Sequence, residues 1–204
     1  MQPRLISVRE PDRPTAAVLV LHGGGSRPGS PMVSPTQLSV LRMKPVARRV
    51  ARRVPAAATY RLLNTHRGWD PSRTPVEDVR WALGQLRERW GDLPVALVGH
   101  SLGGRAALLA GSAPEVRCVV ALNPWVLAED RTDLRGRRVL VVHGDEDRIA
   151  PLARARALAD RIARTTDVSF EVVEGGKHAM LRHGRRFEQR AAEFVADCLS
   201  GRHG

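Results

Sequence analysis

A serine stands between two glycines in Gly99-His100-Ser101-Leu102-Gly103, after the strand-like run Pro94–Val98 and before the helix-like run Gly104–Ala110. A strand that turns at once into a helix pushes the side chain at the turn into open space. Glycines two positions either side relieve the crowding that results. The amides after the serine lie at a helix N-terminus, where negative charge is favoured. The chemistry that fits this arrangement is attack by a hydroxyl nucleophile. The competing structural role for Ser101 is to cap the following helix.

A serine hydroxyl is a weak nucleophile until a base accepts its proton. Histidine can do so near neutral pH, and a carboxylate fixes its tautomer and stabilises the imidazolium. The attacked carbonyl becomes an oxyanion, which requires preorganised N–H donors. Candidates for these parts follow other strand-like runs. His22-Gly23-Gly24-Gly25 comes after the second run, the acidic Asp145-Glu146-Asp147 within His143–Pro151 after the sixth, and Glu174-Gly175-Gly176-Lys177-His178 after the seventh. Asp145 and Glu146 compete with Asp147 as the acid, and His183 competes with His178 as the base. His22, His100 and His143 read as loop hydrogen-bonders. His66, Arg67 and Trp69 suit either a cleft rim or a structural loop, and Trp125 either an acyl pocket or the core.

These groups need elements to hold them. Strands are expected at Leu5–Val8, Ala17–Leu21, Ala57–Leu62, Val95–Gly99, Cys118–Leu122, Val139–His143 and Val168–Val173. Helices are expected at Pro45–Val54, Pro75–Trp90, Leu102–Gly111, Leu152–Arg164 and Arg185–Leu199. In the second helix Thr74 reads as the N-cap, with Pro75 at the first helical position and Glu77 completing a capping box. Val76, Val79, Leu83, Leu86 and Trp90 form its apolar stripe, and Gly91 ends it. Alternating β and α segments with continuously apolar central strands predict an α/β three-layer sandwich. Its mostly parallel sheet of about seven strands would carry helices on both faces. Sites in such sheets lie beyond the strand C-termini. Ser26–Pro35, after a strand end, reads as a site loop, and Gly201–Gly204 as a frayed tail.

From Ala17 to about Leu199 the chain resembles the α/β-hydrolase family, whose order of nucleophile, acid and histidine is the order found here. The resemblance implies Ser101 as nucleophile. His143-Gly-x-x-Asp147-x-x-x-Pro151 looks like the acid loop, which implies Asp147, and the loop ending in His178 looks like the histidine loop. His22-Gly23-Gly24 looks like the oxyanion loop, with the Gly24 and Leu102 amides as donors and Gly25 as the alternative to Gly24. Asn123 stands where some relatives place their acid, but it is not a carboxylate. Only Pro124–Arg138 separate the fifth and sixth strands, too few residues for a helical cap. One domain over residues 1–204 without a cap is expected, lacking the family's usual first strand.

At 204 residues, 43% hydrophobic and 26% charged, the chain reads as globular, and its apolar runs are too short to span a membrane. No signal-like segment follows Met1, so a cytoplasmic location is expected. Cys118 and Cys198 read as two buried free thiols. All but two of the 33 Lys and Arg residues are arginine, for a net charge of +12. Val46, Val50 and Val54 repeat every four residues with Arg48, Arg49, Arg52 and Arg53 between them, an amphipathic helix with a basic face. That face reads as solvated; contact with an anionic surface is the functional alternative. No aromatic residue interleaves with these arginines, so a nucleic-acid partner is not expected. No phosphate-binding GxxxxGK[ST] occurs, and Ile149 stands where a calcium loop needs an oxygen ligand, so no cofactor or metal is expected.

Together these features predict a serine hydrolase that cleaves a small carboxylic ester or thioester through an acyl-enzyme. An acyltransferase using the same triad is the second expectation, and a noncatalytic binding protein on the same fold the third.

Overall fold

The computed structural model describes residues 2–25, 33–70 and 72–201. Most of the Ser26–Pro35 segment and the end of the tail lie outside these residues. Seven strands run β1 Arg4–Arg9, β2 Ala16–Leu21, β3 Ala57–Leu63, β4 Val95–His100, β5 Val116–Leu122, β6 Arg138–Gly144 and β7 Asp167–Val173. They form one sheet in the order β1-β3-β2-β4-β5-β6-β7. Every pairing is parallel except that of β1, an antiparallel edge strand on β3. The mostly parallel sheet is as expected, and the edge strand supplies its antiparallel member.

Five helices cover the sheet: α1 Leu38–Arg53, α2 Thr74–Trp90, α3 Leu102–Ala110, α4 Leu152–Ile162 and α5 Gly184–Leu199. Alternation along each strand divides the core. Leu19, Leu21, Leu97 and Val141 pack beneath α2, α3 and α4. Val18, Val20, Val98 and Leu140 pack beneath α1 and α5. This is the three-layer arrangement, with central strands buried on both faces.

Two helix starts differ from the sequence expectation. α1 begins seven residues before Pro45, which lies inside the helix rather than at its start. The buried Val40, Met43, Ala47 and Val50 anchor α1 on both sides of the proline, and this tertiary packing outweighs its missing amide. In α2 the N-cap is Arg73, in the left-handed region at φ 54°, and not Thr74. The amide and hydroxyl of Thr74 both donate to Asp70, so a carboxylate four residues upstream satisfies the helix start. Glu77 pairs with Arg80 at 2.6 Å instead of closing a capping box.

On α1, Val46 and Val50 are buried while Arg48, Arg52 and Arg53 face solvent; Arg49 reaches Glu188 of α5 at 3.1 Å. Both cysteines are free and buried. A hydrogen bond to Cys198, together with burial, pushes the Cys118 thiol up. Among the described residues, no helix is long and apolar enough to cross a membrane.

Candidate active site

Ser101 occupies the turn between β4 and α3 with φ 55° and ψ −120°, a conformation that a side-chain-bearing residue rarely adopts. Local packing requires small neighbours. A Cβ on Gly99 would lie 2.1 Å from the Gly103 carbonyl, and one on Gly103 would lie 2.6 Å from that of His22. The elbow is held by its main chain. The Ser101 amide donates to Leu122 O at 3.0 Å, and its carbonyl accepts from the Arg105 and Trp125 amides at 3.1 Å each.

The loops after β6 and β7 bring the other two residues to it. A Cβ on Gly144 would stand 2.2 Å from the Gly176 carbonyl, so these loops touch main chain to main chain. The Glu146 amide donates to Gly176 O at 3.0 Å. In this frame His178 Nε2 lies 2.9 Å from Ser101 Oγ, and His178 Nδ1 lies 2.8 Å from Asp147 Oδ2. The other Asp147 oxygen accepts the Ile149 and Ala150 amides at 2.8 and 2.9 Å. Burial alone would raise the Asp147 pKa, but the bond from His178 and these amides reverse that and hold it below the usual carboxylate range. Asp145 and Glu146 are exposed, and Glu146 faces Lys177 at 3.7 Å. His183 lies at the start of α5 against Gly175. Of the competing acids and bases, Asp147 and His178 are the pair that meets Ser101.

The remaining histidines shape loops. His22 Nδ1–H donates to Gly23 O at 2.6 Å, and its Nε2 accepts the Asn64 amide at 3.2 Å, fastening the glycine loop to the end of β3. His143 Nε2–H donates to Ala150 O at 3.0 Å, closing the acid loop. His100 Nε2–H donates to the carbonyl of His178 at 2.8 Å. Burial lowers the pKa of all three, that of His100 to about 3, so each is neutral.

Gly23, Gly24, Gly25, Leu102, Trp125 and Ile149 line a cleft of about 470 Å³ that opens onto Ser101 and His178. Leu102 is the first residue of α3, and the opening amides of a helix have no intrahelical acceptor. Arg67 packs its carbonyl against Gly24, within 1.9 Å of where a Cβ would lie. Trp69 stacks on the Arg105 guanidinium at 4.0 Å. These contacts give Arg67 and Trp69 structural roles in the loop after β3.

Three features were not foreseen. Arg42 and Ser39 of α1 line the cleft, because α1 starts earlier than its periodicity suggested. Arg105 and Asp130 form a buried bidentate ion pair, with contacts of 2.7 and 2.8 Å, and the Arg105 guanidinium lies 5.7 Å from the Trp125 ring. The available signal was a single arginine in an otherwise Ala- and Leu-rich helix. Asn123, noted only as a missing carboxylate, bridges the loops after β6 and β7 with its side-chain amide.

Comparison with known proteins identifies the fold family. The model of the alpha/beta hydrolase family matches residues 18–138. The chain is 30% identical over 95 residues to Cutinase 2 of Thermobifida cellulosilytica, covering 46% of this chain and 36% of the relative. It is equally similar to Cutinase cut1 of Thermobifida fusca, of which it covers 30%. The chain thus spans about a third of the length of the curated relatives it matches. A putative alpha/beta hydrolase from Agrobacterium tumefaciens superimposes with a TM-score of 0.75 at 15% identity, over 97% of this chain and 92% of that one. Est1E from Butyrivibrio proteoclasticus gives 0.72 at 14% identity, over 97% and 94%. With more than half its length matched by the family model and this strand order beneath the site, the chain belongs to the alpha/beta hydrolase family.

Proposed function

We propose that the protein is a serine esterase acting on small carboxylic esters or thioesters, with Ser101, His178 and Asp147 as its triad. The observation that carries the reading is the unbroken chain Ser101–His178–Asp147, at 2.9 and 2.8 Å, on a serine held at positive φ over a helix N-terminus. Relatives named cutinase support ester cleavage as the chemistry.

In this mechanism Ser101 Oγ attacks the substrate carbonyl as His178 Nε2 takes its proton. Asp147 accepts the Nδ1–H of His178, fixing the tautomer and stabilising the imidazolium. The carbonyl oxygen becomes an oxyanion held by the Leu102 amide and by that of Gly24 or its neighbour Gly25. His178 then returns the proton to the departing alcohol or thiol, leaving an acyl-enzyme on Ser101. Water, activated by the same histidine, repeats the sequence and frees Ser101. No metal or organic cofactor takes part.

The walls formed by Trp125, Leu102 and Ile149 suit a short apolar acyl group. We read residues 1–204 as one domain without a cap, since the stretch between β5 and β6 carries no helix. Steady-state hydrolysis of a chromogenic acetate tests the reading. Ser101→Ala is expected to lower kcat by roughly 10³-fold or more. Turnover equal to that of the wild type would defeat it.

A further inference from the structure

Arg42 is the one cationic side chain among the described residues lining the cleft over Ser101 and His178. Its Nε is shut off from solvent and has no hydrogen-bond partner. Among the described residues, no carboxylate pairs with its guanidinium, and the desolvation it suffers on burial lowers its pKa without an offsetting neighbour. A half-buried, unpaired guanidinium is costly unless something pairs with it. Two other partly buried arginines do have partners, Arg49 with Glu188 and Arg190 with Glu171.

The surroundings indicate the sign and the direction. Arg42 also lines a second hollow of about 440 Å³, which continues past the histidine loop along Arg182, His183, Arg185 and Arg186. The only carboxylate lining that hollow, among the described residues, is Glu188, already bound to Arg49 at 3.1 Å. The hollow includes Met180, two residues beyond His178, the residue that in the proposed mechanism returns the proton to the leaving group. An anion placed there would be attracted by Arg42 at close range and by the more exposed arginines beyond it.

We propose that Arg42 reads the substrate, receiving a carboxylate or phosphate carried on the leaving-group half of the ester. The enzyme then favours anionic esters over neutral ones of the same shape. The assignment rests on the ester-hydrolase reading above and adds to it the charge of the substrate and the side on which that charge lies. Arginine suits the task because its planar fork matches both oxyanion groups in two-point contact.

The test compares kcat/KM for 4-acetoxybenzoate and 4-acetoxyphenyl phosphate with that for neutral methyl 4-acetoxybenzoate, in the wild type, Arg42→Met and Arg42→Lys. The anionic-to-neutral ratio is expected to drop on the order of tenfold in Arg42→Met and less in Arg42→Lys. In the wild type it should fall with added salt. The two anionic esters separate a carboxylate preference from a phosphate preference, and either one supports the assignment. A ratio that neither Arg42→Met nor salt moves overturns it. So does an Arg42-dependent preference for monophenyl succinate, whose charge lies in the acyl half. Should Arg42→Met fail to fold, a salt-independent wild-type ratio suffices to overturn it. A wild type inert toward every one of these esters defeats the ester-hydrolase reading itself, a result distinct from turnover without charge preference.

Discussion

Asn123 holds His178 by the main chain and leaves its ring free: the Asn123 Nδ2–H donates to the His178 carbonyl at 3.3 Å and to that of Lys177 at 3.1 Å. Its Oδ1 accepts the Gly144 amide at 2.8 Å, and this fixes which end of the side chain faces which loop. One fully buried side chain, on a residue with φ 42°, therefore ties the acid loop to the histidine loop. His100 adds a second bond to the same His178 carbonyl at 2.8 Å.

Asn123→Asp is nearly isosteric but turns a donor into an acceptor facing two carbonyls. It is expected to lower kcat roughly tenfold to a hundredfold with a smaller change in KM, because the His178 ring loses its placement. Steady-state kinetics beside a thermal melt separate this from general unfolding. An unchanged kcat in a folded variant would show that the bridge does not position His178.

The Arg105–Asp130 pair is buried on both sides, and Asp130 Oδ2 also accepts the Leu127 amide at 2.8 Å. Arg105→Met strands a buried carboxylate and is expected to cost about 3–5 kcal/mol by denaturant unfolding. Removing both charges in Arg105→Met, Asp130→Leu is expected to restore a large part of that loss. A single variant with wild-type stability would contradict the account of the pair.

Three buried neutral histidines set an acid limit on stability. His22, His100 and His143 all have lowered pKa values, that of His100 falling from the ordinary 6.5 to about 3. Below 6.5 the unfolded chain takes up protons that the folded chain does not. The contribution of each is therefore complete above that pH and shrinks as pH falls towards its own lowered value, about 3 for His100. Each group contributes up to about 1.4 kcal/mol per pH unit within its own window. Asp147 acts in the same sense at lower pH: its stabilisation is present above the ordinary carboxylate range and is lost as pH falls through its depressed value. Denaturant unfolding between pH 6 and pH 4 is expected to show falling stability, with a shallower slope in His100→Gln. A flat profile over that range would contradict it.

The sheet, and the residues of the proposed triad, could be picked out in the sequence because each depends on local pattern. Apolar runs such as Val18–Leu21 and Val139–Val142 mark strands covered on both faces; Ser101 and Asp147 closely follow two such strands, β4 and β6, and His178 follows the half-exposed edge strand β7. Features that depend on packing across the sheet were hidden. Nothing near Pro45 reveals that α1 extends back to Leu38, and that extension is what carries Arg42 to the cleft. The role of Asn123 depends on two loops that meet it from positions 144 and 177–178. Thr74 resembled a cap because the competing carboxylate, Asp70, acts from outside the four-residue capping pattern.

The most direct test of the central claim is covalent labelling with a fluorophosphonate, read by intact mass and peptide mapping. The account predicts one adduct per chain, located on Ser101, absent in Ser101→Ala and formed much more slowly in His178→Ala. An unlabelled wild type, or a label of equal yield in Ser101→Ala, would contradict it.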